Sequence, residues 1–156
     1  MPTNSPDKAR VIALPPVIVV ATLALGLLLQ FAWPMRFLGR TNALWLGALL
    51  IAVAIPIVIG AASQLIKAKT AFDVGKSTTG IVTGGIFRIS RNPTYLSMLL
   101  GFLGIAALID SLWILLLALP LVVVLQKGVI EPEEHYLEQK FGQKYLRYKA
   151  RVRRWM

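Results

Sequence analysis

Four apolar runs, at residues 11–33, 43–66, 94–109 and 112–130, leave little choice of solvent for this chain. Inside hydrocarbon the backbone has no water to bond, so such runs are stable there only as helices that satisfy their own N–H and C=O groups. A soluble core built from 156 residues could not hide them. Hydrophobic residues make up 56% of the chain, against roughly 45–50% in soluble domains, and the mean hydropathy is +0.68. The predicted fold class is therefore all-α, an integral membrane helical bundle of about four transmembrane helices plus a C-terminal amphipathic interfacial helix. Residues 1–156 are expected to form a single membrane domain. Within it, 11–66 supply two N-terminal spans and 67–156 a polar loop, a helical hairpin and the C-terminal helix. The third run is short, and only Asp110 and Ser111 separate it from the fourth, so the two should form a tight antiparallel hairpin partly shielded by its neighbours. Pro56 and Pro120 fall inside helical runs, where each is expected to kink its helix.

Charge gives the chain its direction. Lys and Arg number 17 against 7 Asp and Glu, a formal charge of +10. In a soluble protein that balance suggests nucleic acid, but here the basic residues cluster between and after apolar runs, with no aromatic-basic stripe for stacking bases. The expected partner is the lipid bilayer and its anionic headgroups, with no nucleic acid. Five basic residues lie in 67–93 and eight from Lys127 onward, while the 34–42 link carries only Arg36 and Arg40. The excess of positive charge on the inner side then places both termini and the 67–93 loop in the cytoplasm, with the Asp110 turn opposite. Lys8 and Arg10 precede an apolar run longer than a signal-peptide core and without a clear small-residue cleavage site, so it is read as a retained helix. The chain has no cysteine and one histidine, His135. Thiolate chemistry, disulfides and paired-imidazole metal sites are excluded, and no metal is expected. In the tail, Leu137, Phe141, Tyr145 and Tyr148 recur every three or four residues, one face of an amphipathic helix. Basic residues on the other face and Trp155 at its end suit the membrane interface.

Two polar constellations could carry chemistry. The 27-residue connection 67–93 is too long for a mere link, and it brings Gly80, Gly84 and Gly85 close to Arg91-Asn92-Pro93-Thr94-Tyr95. Its glycines permit close backbone approach to a ligand but equally make turns. Pro93 suits a first helical turn, and Arg91 and Tyr95 can anchor at the interface. The second constellation, Glu131-Pro132-Glu133-Glu134, follows the fourth run. Acidic residues and proline suit the first turn of a new helix, yet carboxylates at the cytoplasmic edge face anionic lipid that should repel them. Because runs three and four form a hairpin, Arg91 to Tyr95 and Glu131 to Glu134 fall at one membrane depth on adjacent helices. A pocket there would combine a glycine-bearing loop, an arginine, aromatic rings and carboxylates.

These residues also form a recognisable series: Ile81-Val82-Thr83, Gly85-x-Phe87 and Arg91-Asn92-Pro93-Thr94-Tyr95, then after a hairpin Glu133-Glu134-x-x-Leu137, Phe141-Gly142, Tyr145, Tyr148 and Val152-Arg153-Arg154-Trp155. In order and spacing the series resembles the isoprenylcysteine carboxyl methyltransferase and phospholipid methyltransferase superfamily, over about residues 67–156. The first two spans match only in kind. The resemblance implies an integral membrane enzyme that uses S-adenosyl-L-methionine and closes a cytoplasmic cofactor pocket with membrane helices. The absence of a βαβ pattern or Gly-x-Gly-x-x-Gly agrees with that fold. Carried over by position, the cofactor-binding residues would be Thr79, Gly80, Ile81, Val82, Phe87, Asn92, Pro93, Thr94, Tyr95 and Glu133, with Arg91 and Glu134 as catalytic candidates. The chain departs from the isoprenylcysteine enzymes at Asn92, where they have histidine, and at Val129, where they have an arginine near the substrate carboxylate.

Methyl transfer from a sulfonium is an in-line displacement governed by positioning and electrostatics. Glu133 would accept from the cofactor's amino or ribose groups, Tyr95 and Phe87 would offer ring faces, loop N–H groups would hold its carboxylate, and Arg91 would orient the glutamates. The acceptor, a lipid-like small molecule, would enter from the bilayer. An amine acceptor needs a base, for which Glu134 or His135 is the candidate; a thiolate or carboxylate needs none. Competing readings are a nicotinamide-dependent lipid reductase, which would be expected to have many more spans, and a non-catalytic membrane protein or transporter subunit, whose coupling carboxylate should lie near the bilayer midplane. The sequence leaves the acceptor's identity and the oligomeric state open.

Overall fold

The computed structural model describes residues 11–68 and 80–156, and among them every regular element is helical. In chain order these are α1 (Pro15–Ala32), α2 (Arg40–Lys67), a 3₁₀ turn (Gly85–Arg88), α3 (Pro93–Leu108), α4 (Leu112–Leu125), a π turn (Gln126–Ile130), α5 (Glu131–Phe141) and α6 (Gln143–Arg151). Three rods are long and apolar enough to cross a membrane: α1, α2 and the continuous stretch Leu112–Phe141. Within the last, the apolar crossing ends near Ile130, and the charged turns of α5 lie beyond it. α3 has 16 residues, about 24 Å at 1.5 Å per residue, short of a roughly 30 Å hydrocarbon core. It is shielded by its neighbours, as its length requires.

Small residues make that shielding close. A Cβ at Gly47 of α2 would lie 2.6 Å from Leu108 Cγ and 2.8 Å from the Gly104 carbonyl oxygen of α3, so the two backbones touch only because glycine is there. Phe102 of α3 meets Ile114, Leu121 and Leu125 of α4 in the principal core, and Ile18 and Leu23 of α1 pack on its edge. Outward faces are apolar instead of polar: Phe31 is 90% and Trp45 75% exposed, a surface compatible with lipid and not with water.

The hairpin between α3 and α4 closes as its two-residue link requires. Asp110 takes a left-handed φ of 54°, and the N–H groups of Asp110 and Ser111 donate back to Ala107 and Ala106 oxygens, the reciprocal pair of a Schellman stop. Ser111 Oγ then caps α4 by accepting from Ile114 N. A non-glycine residue in that conformation is strained, and here its side chain is tied down: the Asp110 carboxylate accepts the N–H groups of Phe37, Leu38 and Gly39 at 3.1, 2.9 and 3.1 Å. The hairpin tip is thereby clasped to the α1–α2 connection.

Two expectations for the C-terminal region are corrected. Pro132 does not begin a new helix, because α4 runs through the π turn into α5 without a break. Proline's missing N–H frees the carbonyl four residues earlier, that of Gly128, and the Ile12 N–H takes it at 3.1 Å. The Ile12 side chain lies directly over Gly128, where a Cβ would make it shift. The amphipathic tail, in turn, is two helices hinged at Gly142 (φ 50°). Its aromatic face covers protein, not lipid: Tyr145 and Tyr148 are buried against Phe87 and Ala61 in a second core, with Leu137 and Phe141 at its edge. Trp155, expected as an interface anchor, packs on the principal core and donates to Gln126 Oε1.

Candidate functional site

The hairpin brings its two open ends together. Pro93 is the first residue of α3, which sets Tyr95 within the opening turn, while Glu133 and Glu134 follow one turn after the π bulge. Tyr95 Oη donates to Glu133 Oε2 at 2.7 Å, across 38 residues of sequence. Beside it Arg91 Nη2 lies 3.1 Å from Glu134 Oε1. A cavity opens between them, walled by Gly80, Ile81 and Val82 from the loop, Phe87 from the 3₁₀ turn, and Arg91 and Asn92. Glu133, Glu134 and Leu137 of α5, Tyr145 and Tyr148 of α6 and Leu65 of α2 complete the lining. The described residues bound about 80 Å³, less than the roughly 300–1,000 Å³ usual for ligand pockets.

The C-terminal residues lock this end of the bundle. Arg91 N donates to the Arg153 carbonyl at 3.0 Å, and the Arg154 carbonyl accepts from Ser90 Oγ and Asn92 Nδ2, each at 3.1 Å. The Arg154 guanidinium returns to α5, donating from Nε and Nη2 to the two Glu134 oxygens at 3.2 and 2.9 Å, with Nη1 3.4 Å from Glu131. Glu134, only 4% exposed, is thus held by two arginines through both of its oxygens. His135 is exposed and engaged with Gln139. Glu133 differs from both. Crowding by surrounding protein pushes its carboxyl up to about 6; the Tyr95 hydrogen bond opposes that shift and the neighbouring Glu134 charge adds to it. Burial also raises the Tyr148 phenol, to about 12, and its hydroxyl donates to the Phe87 carbonyl at 2.7 Å.

Of the residues singled out from sequence, Gly80, Ile81, Val82, Phe87, Asn92 and Glu133 line the cavity together with Arg91 and Glu134. Tyr95 does not line the cavity, but its hydroxyl donates to Glu133, which does. Pro93 is buried as the helix start, and Thr94 caps locally, its carbonyl accepting from Ser97 Oγ. Neither lines the cavity. Thr79 lies outside the described residues. Arg154 was missed as a site residue, because a basic terminal tail reads as a lipid contact until its partner is known. Tyr145 and Tyr148 carried a usable signal, the apolar face of the tail, but its direction could not be read.

Comparison with known proteins accords with this geometry. Residues 42–144 match the family model described as phospholipid methyltransferase. The match reaches back into α2, which by sequence had agreed only in kind, and stops before the Arg153–Trp155 lock. An uncharacterized protein of Haemophilus influenzae is 40% identical over 62 residues, covering 40% of this chain and 98% of that one. No solved structure matches.

Proposed function

Because this chain belongs to the phospholipid methyltransferase family and is on that ground a membrane methyltransferase, we propose that it moves a methyl group from S-adenosylmethionine to a lipid-like acceptor that arrives through the bilayer. The observation that carries the reading is the Tyr95–Glu133 hydrogen bond at the cavity, which unites two distant motif segments around one carboxylate. The donor set suits a sulfonium nucleoside: an acceptor carboxylate in Glu133, ring faces in Phe87 and the two tyrosines, and donors on Arg91 without a partner among the described residues.

The cofactor supplies an electrophilic methyl on a positive sulfur, which leaves as a neutral thioether. The protein's part is to orient, exclude water and manage a proton. Glu133, with one oxygen on Tyr95, has the other available at the cavity among the described residues. Its carboxyl, pushed up to about 6 and so ionised at neutral pH, suits holding a positive charge of the bound cofactor. Two features favour a phospholipid amine over a prenylcysteine carboxylate. The family description names phospholipid methylation. Val129, where the isoprenylcysteine enzymes carry an arginine, is fully buried in the principal core and offers no cation to a substrate carboxylate. We further assign the cofactor side to the cytoplasm, on the strength of the basic 67–93 loop and tail.

The test is incubation of the purified protein in lipid nanodiscs with methyl-labelled S-adenosylmethionine and a total lipid extract. Label is expected in an aminophospholipid fraction, and Glu133→Ala should abolish it while the variant keeps its helical circular dichroism. Label in no lipid fraction would refute the acceptor class. Stabilisation by a reduced nicotinamide in place of S-adenosylhomocysteine would favour the reductase reading.

A further inference from the structure

The hydrogen bonding at the cavity is incomplete, and the shortfall falls on one side chain. Arg91 is buried, its side chain 8% exposed, and a guanidinium carries five N–H donors. Nη2 is taken by Glu134. Nε and Nη1 are buried with no hydrogen-bond partner among the described residues. Neighbouring carboxylates do not reach them: Arg154 donates to both oxygens of Glu134 and reaches Glu131 as well, and Glu133 holds Tyr95 with one oxygen. Two donor nitrogens of one buried guanidinium are therefore left without an acceptor among the described residues. Buried donors on a charged group are costly to leave unpaired, and a binding site can keep such a deficit where a ligand brings the missing acceptor.

A guanidinium with two donors to fill favours an oxyanion over a neutral acceptor, and the ligand must tolerate Glu133 in the same cavity. A doubly charged phosphate meets repulsion there. A zwitterion does not, because an ammonium beside its carboxylate can pair with Glu133. We propose that Arg91, through Nε and Nη1, binds the α-carboxylate of the amino-acid end of the cofactor, with Glu133 as the counter-charge for the adjoining ammonium. This moves the carboxylate from the loop N–H groups suggested by sequence to a side chain, and it rests on the methyl-transfer reading. The two nitrogens are closed to water in this conformation, so the carboxylate reaches them as the cavity opens.

The experiment uses the full chain in detergent and three probes. These are S-adenosylhomocysteine, its decarboxylated analogue, which keeps the ammonium, and methylthioadenosine, which has neither group. For the wild type, calorimetric Kd should weaken by roughly 10- to 100-fold on decarboxylation, as expected for losing hydrogen bonds to a charged group. Arg91→Gln should bring S-adenosylhomocysteine down to the level of the decarboxylated analogue while leaving that analogue's own Kd unchanged. Arg91→Lys, which keeps the charge but not the planar donor set, should fall between them and guards against misfolding of the glutamine variant. Equal losses for all three probes in both variants would show that Arg91 merely supports the fold, and unchanged affinities would show that the carboxylate binds elsewhere. Either result overturns this assignment while methylthioadenosine binding by the wild type leaves the cofactor site standing. A wild type that binds none of the probes removes the methyl-transfer reading and this assignment with it.

Discussion

Two buried carboxylates sit at opposite ends of the same helical hairpin, and they are satisfied in different currencies. Asp110, 6% exposed, is ringed by three backbone N–H groups from the α1–α2 connection. The hydrogen bond from Leu38, helped by those from Phe37 and Gly39 and by nearby Arg36, holds its carboxyl below the usual range despite opposing desolvation. Each of its oxygens is used, and no neighbour is left short. Glu134 is satisfied by side chains: two arginines converge on it, and one of them keeps donors without a partner among the described residues. A carboxylate closed by backbone is a clasp. One closed by guanidinium groups, next to a second carboxyl pushed up to about 6, is part of a site that expects a ligand.

The largest expected effect comes from Glu134→Gln, which strands the buried Arg91 guanidinium and takes from the partly exposed Arg154 one of its two carboxylates. It should cost about 3–5 kcal/mol of stability, as breaking a buried ion pair does, and denaturation of the variant in detergent with and without S-adenosylhomocysteine reads both stability and binding. A variant as stable as the wild type would erase the contrast with Asp110. Next, Asp110→Ala should lower the thermal midpoint while leaving the Kd of S-adenosylhomocysteine unchanged, since its partners lie at the far end of the bundle. A parallel loss of affinity would mean that the clasp transmits to the cavity.

Smaller and more local is Tyr95→Phe, which removes one hydrogen bond to a carboxylate and should weaken cofactor binding roughly 10-fold. It should also move the Glu133 titration upward, because that bond is what lowers it. The finest test is pH. Glu133 in the empty pocket is protonated below about 6 and a cationic ligand selects the ionised form, so affinity should rise as pH increases through 6 and level off above 7, with proton uptake reversing it. The same raised carboxyl makes the opposite contribution to the empty fold, which loses stability as pH rises from the ordinary glutamate range through 6. Calorimetry at pH 5 to 8 should show the slope in the wild type and a flat profile in Glu133→Gln. A slope retained by that variant would assign the titration to another group.

Much of this was legible without coordinates because the governing constraint is local. Apolar runs too long for water dictate helices wherever they occur, and a two-residue link dictates a hairpin, so Tyr95 and Glu133 had to share an end of the bundle. The motif glutamates and the Arg91–Tyr95 segment could be nominated on that argument and on resemblance. What the sequence could not supply was direction, for amphipathic periodicity says that α6 has an apolar face but not whether lipid or protein covers it. Proline's effect at residue 132 depended likewise on a distant donor, Ile12 N, that could rescue the freed carbonyl. The choice between Glu133 and Glu134 was also beyond local reading, since adjacent residues of one type differ only in what surrounds them. Arg154 made that decision by folding back from the chain terminus onto one and not the other. Sequence determined which segments enter the membrane and which of their ends meet, since burial and chain length fix both. Tertiary structure alone decided which charges are spent on one another and which remain for a ligand, because pairing depends on distances that no spacing along the chain encodes.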